Sequence, residues 1–274
     1  MLRAIGPLLG SAHLEPSLAV TAAACALALG AGLGPRTLLV ALAVGSGQLS
    51  IGWSNDWLDR RRDRAAGRHD KPVARGRIHP RTVAASAFVA LGVCAIASLA
   101  LSTAAGVTHL VAVAAGWFYN VRAKHSWYSV APWALAFGLL PAVVTLTAPL
   151  GRWPAWWLLA AGALLGAGAH FANAIPDLDD DRATGVRGLP HRLGRRRSLW
   201  TAVGLVASGH ALVALGIARS GGAAGRTIVA GAAALLVAVA VAAARGHERA
   251  AFRGVVLLLL LLAAGVVLSG AGLV

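Results

Sequence analysis

Residues 82–121 form a run of forty positions without a single Asp, Glu, Lys or Arg. As one helix they would extend about 60 Å at 1.5 Å per residue. That is twice the roughly 30 Å hydrocarbon core of a bilayer, so the run must fold back as two membrane crossings. The rest of the chain repeats the pattern, and with 58% apolar against 13% charged residues it is too apolar for a soluble domain of 274 residues. Segments long enough to span a bilayer are expected near 17–33, 36–54, 82–102, 105–121, 129–148, 155–174, 198–217, 226–244 and 252–272. The expectation is an all-α polytopic membrane protein, a bundle of nine transmembrane helices forming one domain over residues 1–274. The abundant Gly and Ala suit helices that pack closely in lipid.

A formal net charge of +15 could point to nucleic acid, but the basic residues lie between apolar segments rather than along a solvated stripe with interleaved aromatics. They instead orient the chain. With the N-terminus inside, 21 of the 25 Lys and Arg residues fall on inside segments and 4 outside, which predicts a cell-membrane protein with both acidic clusters on the cytoplasmic face. No nucleic-acid partner is expected; the bilayer is. His13, Glu15 and Pro16 interrupt the approach to the first apolar run, which argues against a cleaved leader. Cys25 and Cys94 lie in different spans without metal-ligand spacing.

Eight of the ten acidic residues gather in two places, each just after an apolar span. The first holds Asp56, Asp59, Asp63 and Asp70; the second holds Asp177, Asp179, Asp180 and Asp181. Charges at a membrane are costly and read as functional. On a helix Asn55, Asp59 and Asp63 share one face at i, i+4, i+8, with Asp56 on the flank, and Asp177 and Asp181 repeat the i, i+4 step with Asp180 beside them. Oxygen-only donors favour Mg²⁺, which takes a few carboxylates together with substrate phosphate oxygens. Two such faces on one membrane side would hold a metal-bridged diphosphate. For Arg60, Arg61, Arg62 and Arg64 the simpler reading is solvation or pairing with the neighbouring acids.

These residues resemble the UbiA superfamily of intramembrane prenyltransferases. Asn55-Asp56-x-x-Asp59-x-x-x-Asp63 looks like its first aspartate-rich motif, and Asp177-x-x-x-Asp181 with Gly185, Gly188-Leu189-Pro190 and Gly194 like its second. Asp70-Lys71-Pro72-Val73-Ala74-Arg75-Gly76-Arg77 resembles its Arg-Pro-x-x-x-Gly-Arg loop, with Lys71 where arginine is common. Lysine keeps the charge and loses the bidentate fork. Tyr119 and Lys124 match the tyrosine and lysine at the cytoplasmic end of the fourth helix. The resemblance implies Mg²⁺ held by Asn55, Asp56, Asp59, Asp63, Asp177, Asp180 and Asp181, with Asp59, Asp63, Asp177, Asp181, Tyr119 and Lys124 as catalytic residues. It implies transfer of the chain of a polyprenyl diphosphate to a lipophilic, aromatic acceptor, Lys71, Tyr119 and Lys124 contacting the diphosphate, and a prenyl tail leaving sideways toward lipid. The alternative on the same scaffold is a terpene cyclase working without an acceptor. Phosphoribosyl transfer lacks a sugar site here, and a transporter would place its acids at mid-membrane on broken helices.

His170 and Asn173, just before the second cluster, are candidates to orient the acceptor or take its proton. His13 and Glu15 are expected at the cytoplasmic mouth, and His109 and His210 as paired core residues. Trp53, Trp57, Trp117 and Phe118 are expected near the proposed site and could face a carbocation or anchor the interface.

Overall fold

Charge-free Ala, Leu and Val runs leave the backbone of a membrane segment one way to satisfy its polar groups, the helix. The computed structural model describes residues 2–68, 71–218, 222–270 and 272–274, and among them it is helical without strands. A short α1 (Leu2–Gly10) leads into α2 (Leu14–Gly30) and the 30-residue α3 (Arg36–Ala65). The hairpin of α4 (Pro80–Leu101) and α5 (Thr103–Val121) follows, then α6 (Ala131–Thr147) and α7 (Trp156–Ala174). Two short helices, α8 (Leu178–Ala183) and α9 (Leu189–Leu193), precede α10 (Arg195–Ala218), α11 (Ala223–Ala244) and α12 (Glu248–Leu268).

Seven helical stretches are long and apolar enough to cross a membrane. The other two expected crossings are α2 and α6, apolar helices of 17 residues each, or about 26 Å at 1.5 Å per residue. The forty-residue run turns back at a single position. Ser102 is extended (φ −174°, ψ 161°), its hydroxyl accepts the Ala105 N–H at 3.1 Å as an N-cap, and it donates to the Leu146 carbonyl at 3.0 Å. At the start of α4, His79 caps the Arg81 N–H and Pro80 takes the first helical position, where its missing N–H costs nothing.

Close packing places the helices that matter for function. α3 lies against α4, and α7 against both α6 and α10. At Gly162 of α7 a Cβ would fall 2.5 Å from the Phe137 carbonyl of α6, so only glycine permits that approach. The main core is contributed by every helix from α2 to α7 and from α10 to α12, while a smaller cluster of Ala12, Trp53, Val73, Ile78, Val83, Ala87 and Ala90 fastens the 71–79 loop at the acid-bearing end. Between α2, α6, α7 and α12, with Val213 of α10, lies an apolar cavity, open along part of its edge.

Candidate active site

α3 does not stop where its apolar stretch ends. Three further turns carry the first acid cluster, so Asp56, Asp59 and Asp63 are fixed by a continuous helix. They are nearly inaccessible, at 1%, 6% and 4% exposure. The buried face is therefore Asp56, Asp59 and Asp63, at i, i+3, i+7, rather than Asn55, Asp59 and Asp63. Asn55 is half-buried and donates from Nδ2 to Asn120 Oδ1 at 3.2 Å, while Asn120 donates to Ser54 Oγ and the Ile51 carbonyl.

Buried carboxylates need partners, and each has one. Lys124, in the 3₁₀ turn Ala123–His125 after α5, donates to Asp59 Oδ1. Burial pushes its ammonium below the usual lysine range, and the Asp59 charge acts against that shift. Arg62 reaches Asp59 at 2.9 Å and Asp63 at 3.7 Å. Lys71 lies 2.6 Å from Asp56 Oδ1 and His13 Nε2 lies 3.1 Å from the same oxygen, while Asp56 Oδ2 is buried without a hydrogen-bond partner in the structure. Asp70 lies outside the described residues.

The second cluster is built differently from its i, i+4 expectation. Pro176 cannot continue α7 with a backbone donor, and the chain passes through the 3₁₀ turn Ile175–Asp177 before α8. Asp177 meets Arg68 at 3.4 Å, linking the two clusters, and Asp181 meets His191 at 3.1 Å. Asp179 faces Arg195 at 2.8 Å, and Asp180 and Asn173 are exposed. Among the described residues no three Asp, Glu, His or Cys side chains converge as a preformed metal centre; protein cations stand between the carboxylates instead.

Tyr119 lies within electrostatic range of Asp181 in one cluster and Asp59 in the other. Its ring packs edge-on against Trp133 at 5.8 Å and His170 at 5.4 Å. Trp133 and Phe137, stacked at 6.0 Å, also line the apolar cavity, so this ring group joins the acids to the cavity head. His170 is 1% exposed, with Nε2 3.0 Å from Ser129 Oγ and Nδ1 unpartnered.

The rings expected near the site turn elsewhere. Trp53 donates to the Leu8 carbonyl and Trp117 to Ser50 Oγ, Trp57 and Trp117 pack on Phe88, and Phe118 is exposed and stacks on Tyr128. His109 is paired as expected, 2.7 Å from Ser98 Oγ, whereas His210 Nδ1 is buried without a partner. Glu15 pairs with Arg253 at 3.2 Å. Sequence reasoning missed Asn120, Ser129, Trp133, Phe137, Arg68 and His191. Their contacts to the site span up to 109 residues, so no local spacing marks them.

Comparison with known proteins bears on this arrangement. The model of the UbiA prenyltransferase family matches residues 17–259. No curated protein matches the chain. Among solved structures, an apo UbiA homologue from Aeropyrum pernix K1 superposes with a TM-score of 0.77 at 21% identity, covering 90% of this chain and 96% of that one. A UbiA homologue from Archaeoglobus fulgidus bound to GPP and Mg²⁺ gives a TM-score of 0.64 at 19% identity, over 86% and 84% of the two chains. A digeranylgeranylglyceryl phosphate synthase gives 0.67 at 18% identity, over 96% and 99%. At these identities the structures share a fold with this chain.

Proposed function

The chain belongs to the UbiA prenyltransferase family, and we propose that it transfers an isoprenoid chain from a polyprenyl diphosphate to a lipophilic acceptor, with Mg²⁺ as cofactor. The observation that supports this most directly is the meeting, at one end of the bundle, of two acid clusters with the ring-lined head of an apolar cavity. The donor chemistry suits the metal. The clusters offer oxygen ligands, and Asp56 Oδ2 is a buried acceptor with no hydrogen-bond donor among the described residues. Asn55, Asp56, Asp59, Asp63, Asp177, Asp180 and Asp181 are the residues that would hold it. When bound, it supplies positive charge against the diphosphate leaving group.

The chain's own residues do the rest. Lys124, Arg62, Lys71 and Arg68 lie on the carboxylates and are at hand for phosphate oxygens. The Tyr119 hydroxyl, within electrostatic range of both clusters, orients the diphosphate by hydrogen bonding. The faces of Tyr119, Trp133 and Phe137 line the path of the allylic cation and keep water from it. Ser129 Oγ accepts the Leu189 N–H at 2.8 Å and lies 3.0 Å from His170 Nε2, which fixes the imidazole. His170 then orients an acceptor oxygen. The ring cluster favours an aromatic acceptor, and Asn173, exposed at the same helix end, stays a candidate for its far edge.

The proposed topology is nine crossings, α2 and α6 included, with the acid-bearing end cytoplasmic as the basic residues require. The decisive experiment is product analysis of purified protein with prenyl diphosphates of graded length and a panel of aromatic acceptors. A prenylated acceptor is expected. A cyclic hydrocarbon formed without any acceptor would instead establish the cyclase reading. Excess EDTA should reduce turnover below detection and added Mg²⁺ restore it; turnover indifferent to chelator rules out the metal assignment.

A further inference from the structure

Among the described residues, His13 is the one non-glycine residue with positive φ (φ 50°, ψ 54°). A residue with a Cβ holds that conformation only where its surroundings enforce it. The enforcing contacts are visible. A Cβ at Gly52 of α3 would collide with the Ala12 carbonyl, so the chain lies directly on the helix backbone there. The Trp53 indole donates to the Leu8 carbonyl at 2.9 Å, Ser17 Oγ donates to the Ala12 carbonyl at 3.2 Å, and Gly10 rests on Pro72 of the 71–79 loop.

This corner delivers the imidazole to Lys71. His13 Nε2 is 2.8 Å from Lys71 Nζ, and Lys71 Nζ is 2.6 Å from Asp56 Oδ1. An ammonium is a donor only, with three N–H groups. Asp56 takes one and His13 Nε2 a second, which leaves the third for an outside acceptor. A flexible lysine lacks the fixed fork of arginine, and two acceptors on separate elements give it a defined direction.

We infer that His13 is a positioning residue for diphosphate recognition: strapped across α3 by its left-handed backbone, it aims the Lys71 ammonium at the phosphate oxygens. The inference rests on the diphosphate reading given above. It makes the segment before α2 part of substrate binding, reaching the first acid cluster through the Asp56–Lys71 pair and through His13 Nε2, 3.1 Å from Asp56 Oδ1.

Three variants test it: His13→Ala, His13→Gly and His13→Gln. Loss of the acceptor nitrogen is expected to raise KM for the prenyl diphosphate about tenfold in His13→Ala, with kcat changed less than threefold. His13→Gly relieves the backbone strain, so it should melt no lower than the wild type in detergent yet show the same KM defect. His13→Gln keeps a side-chain acceptor at the reach of Nε2, and is expected to recover at least half of the loss. A second readout is the rise in melting temperature on adding inorganic pyrophosphate with Mg²⁺, which should shrink in the Ala and Gly variants and return in Gln. Wild-type KM in His13→Gly, or a Gln variant as impaired as Ala, overturns the inference while leaving the diphosphate reading intact. A wild-type protein that neither turns over prenyl diphosphates nor is stabilised by pyrophosphate overturns both.

Discussion

Asp59→Asn is expected to lower turnover by roughly 10³-fold or more, the scale of losing a principal electrostatic contact in a water-excluded site, and to destabilise the protein as well. The carboxylate is 6% exposed and holds both Lys124 and Arg62. Without it Lys124, 5% exposed, becomes a buried cation lacking its partner, and breaking such a pair costs about 3–5 kcal/mol. The two effects separate in the double variant Asp59→Asn/Lys124→Met. Removing both charges should restore most of the melting temperature, because a buried pair is often replaceable by apolar groups, while turnover stays absent. Asp181→Ala provides the contrast. Its carboxylate is half-exposed beside His191, so its loss should abolish activity at little expense in stability. Pyrophosphate release measured alongside thermal unfolding in detergent distinguishes these outcomes. Turnover of Asp59→Asn within tenfold of wild type would sink the role given to the first cluster.

That contrast between Asp59 and Asp181 also marks where the sequence stops being readable. Helix positions follow from charge alone, since a bilayer excludes it, and the α4–α5 hairpin appears at Ser102, a residue able to cap a helix near the middle of the run. Which side of α3 faces inward does not follow. Asn55, Asp59, Asp63 and Asp56, Asp59, Asp63 are equally helical spacings, and the choice between them is made by Lys71 and His13, brought in from a loop and from the segment before α2. Pro176 was a legible signal that the second cluster would not sit on a continuous helix, and the i, i+4 argument passed over it. The rings expected at the site are not the ones found there. Trp57 and Trp117 turn toward Phe88, and the ring at the cavity head, Trp133, arrives through α6–α7 packing that depends on Gly162 and Gly166.

Ala23→Trp is expected to convert chain-length preference without touching the acid end. On α2 the cavity is lined by Pro16, Ala19, Val20, Ala23 and Leu27, one helical face, and the separation of the outer two corresponds to about 17 Å at 1.5 Å per residue. An isoprene unit advances roughly 5 Å, being four carbon–carbon bonds of about 1.5 Å in zigzag, so the cavity takes three to four units before a longer chain must leave by the open edge. Ala23 lies about two turns beyond Pro16. An indole there occupies the space of the third unit while leaving room for the first two. Turnover of a C20 diphosphate should fall by about 10²-fold, the scale of a misplaced reacting centre, while C5 and C10 substrates stay within a few-fold of wild type. Because the new ring fills an existing void rather than a packed core, the melting temperature should hold or rise, the reverse of the overpacking effect. Competition assays with mixed C10 and C20 diphosphates give the ratio directly. An equal loss at every length would mean that Ala23 acts through the fold, and an unchanged ratio would mean that the prenyl chain runs elsewhere.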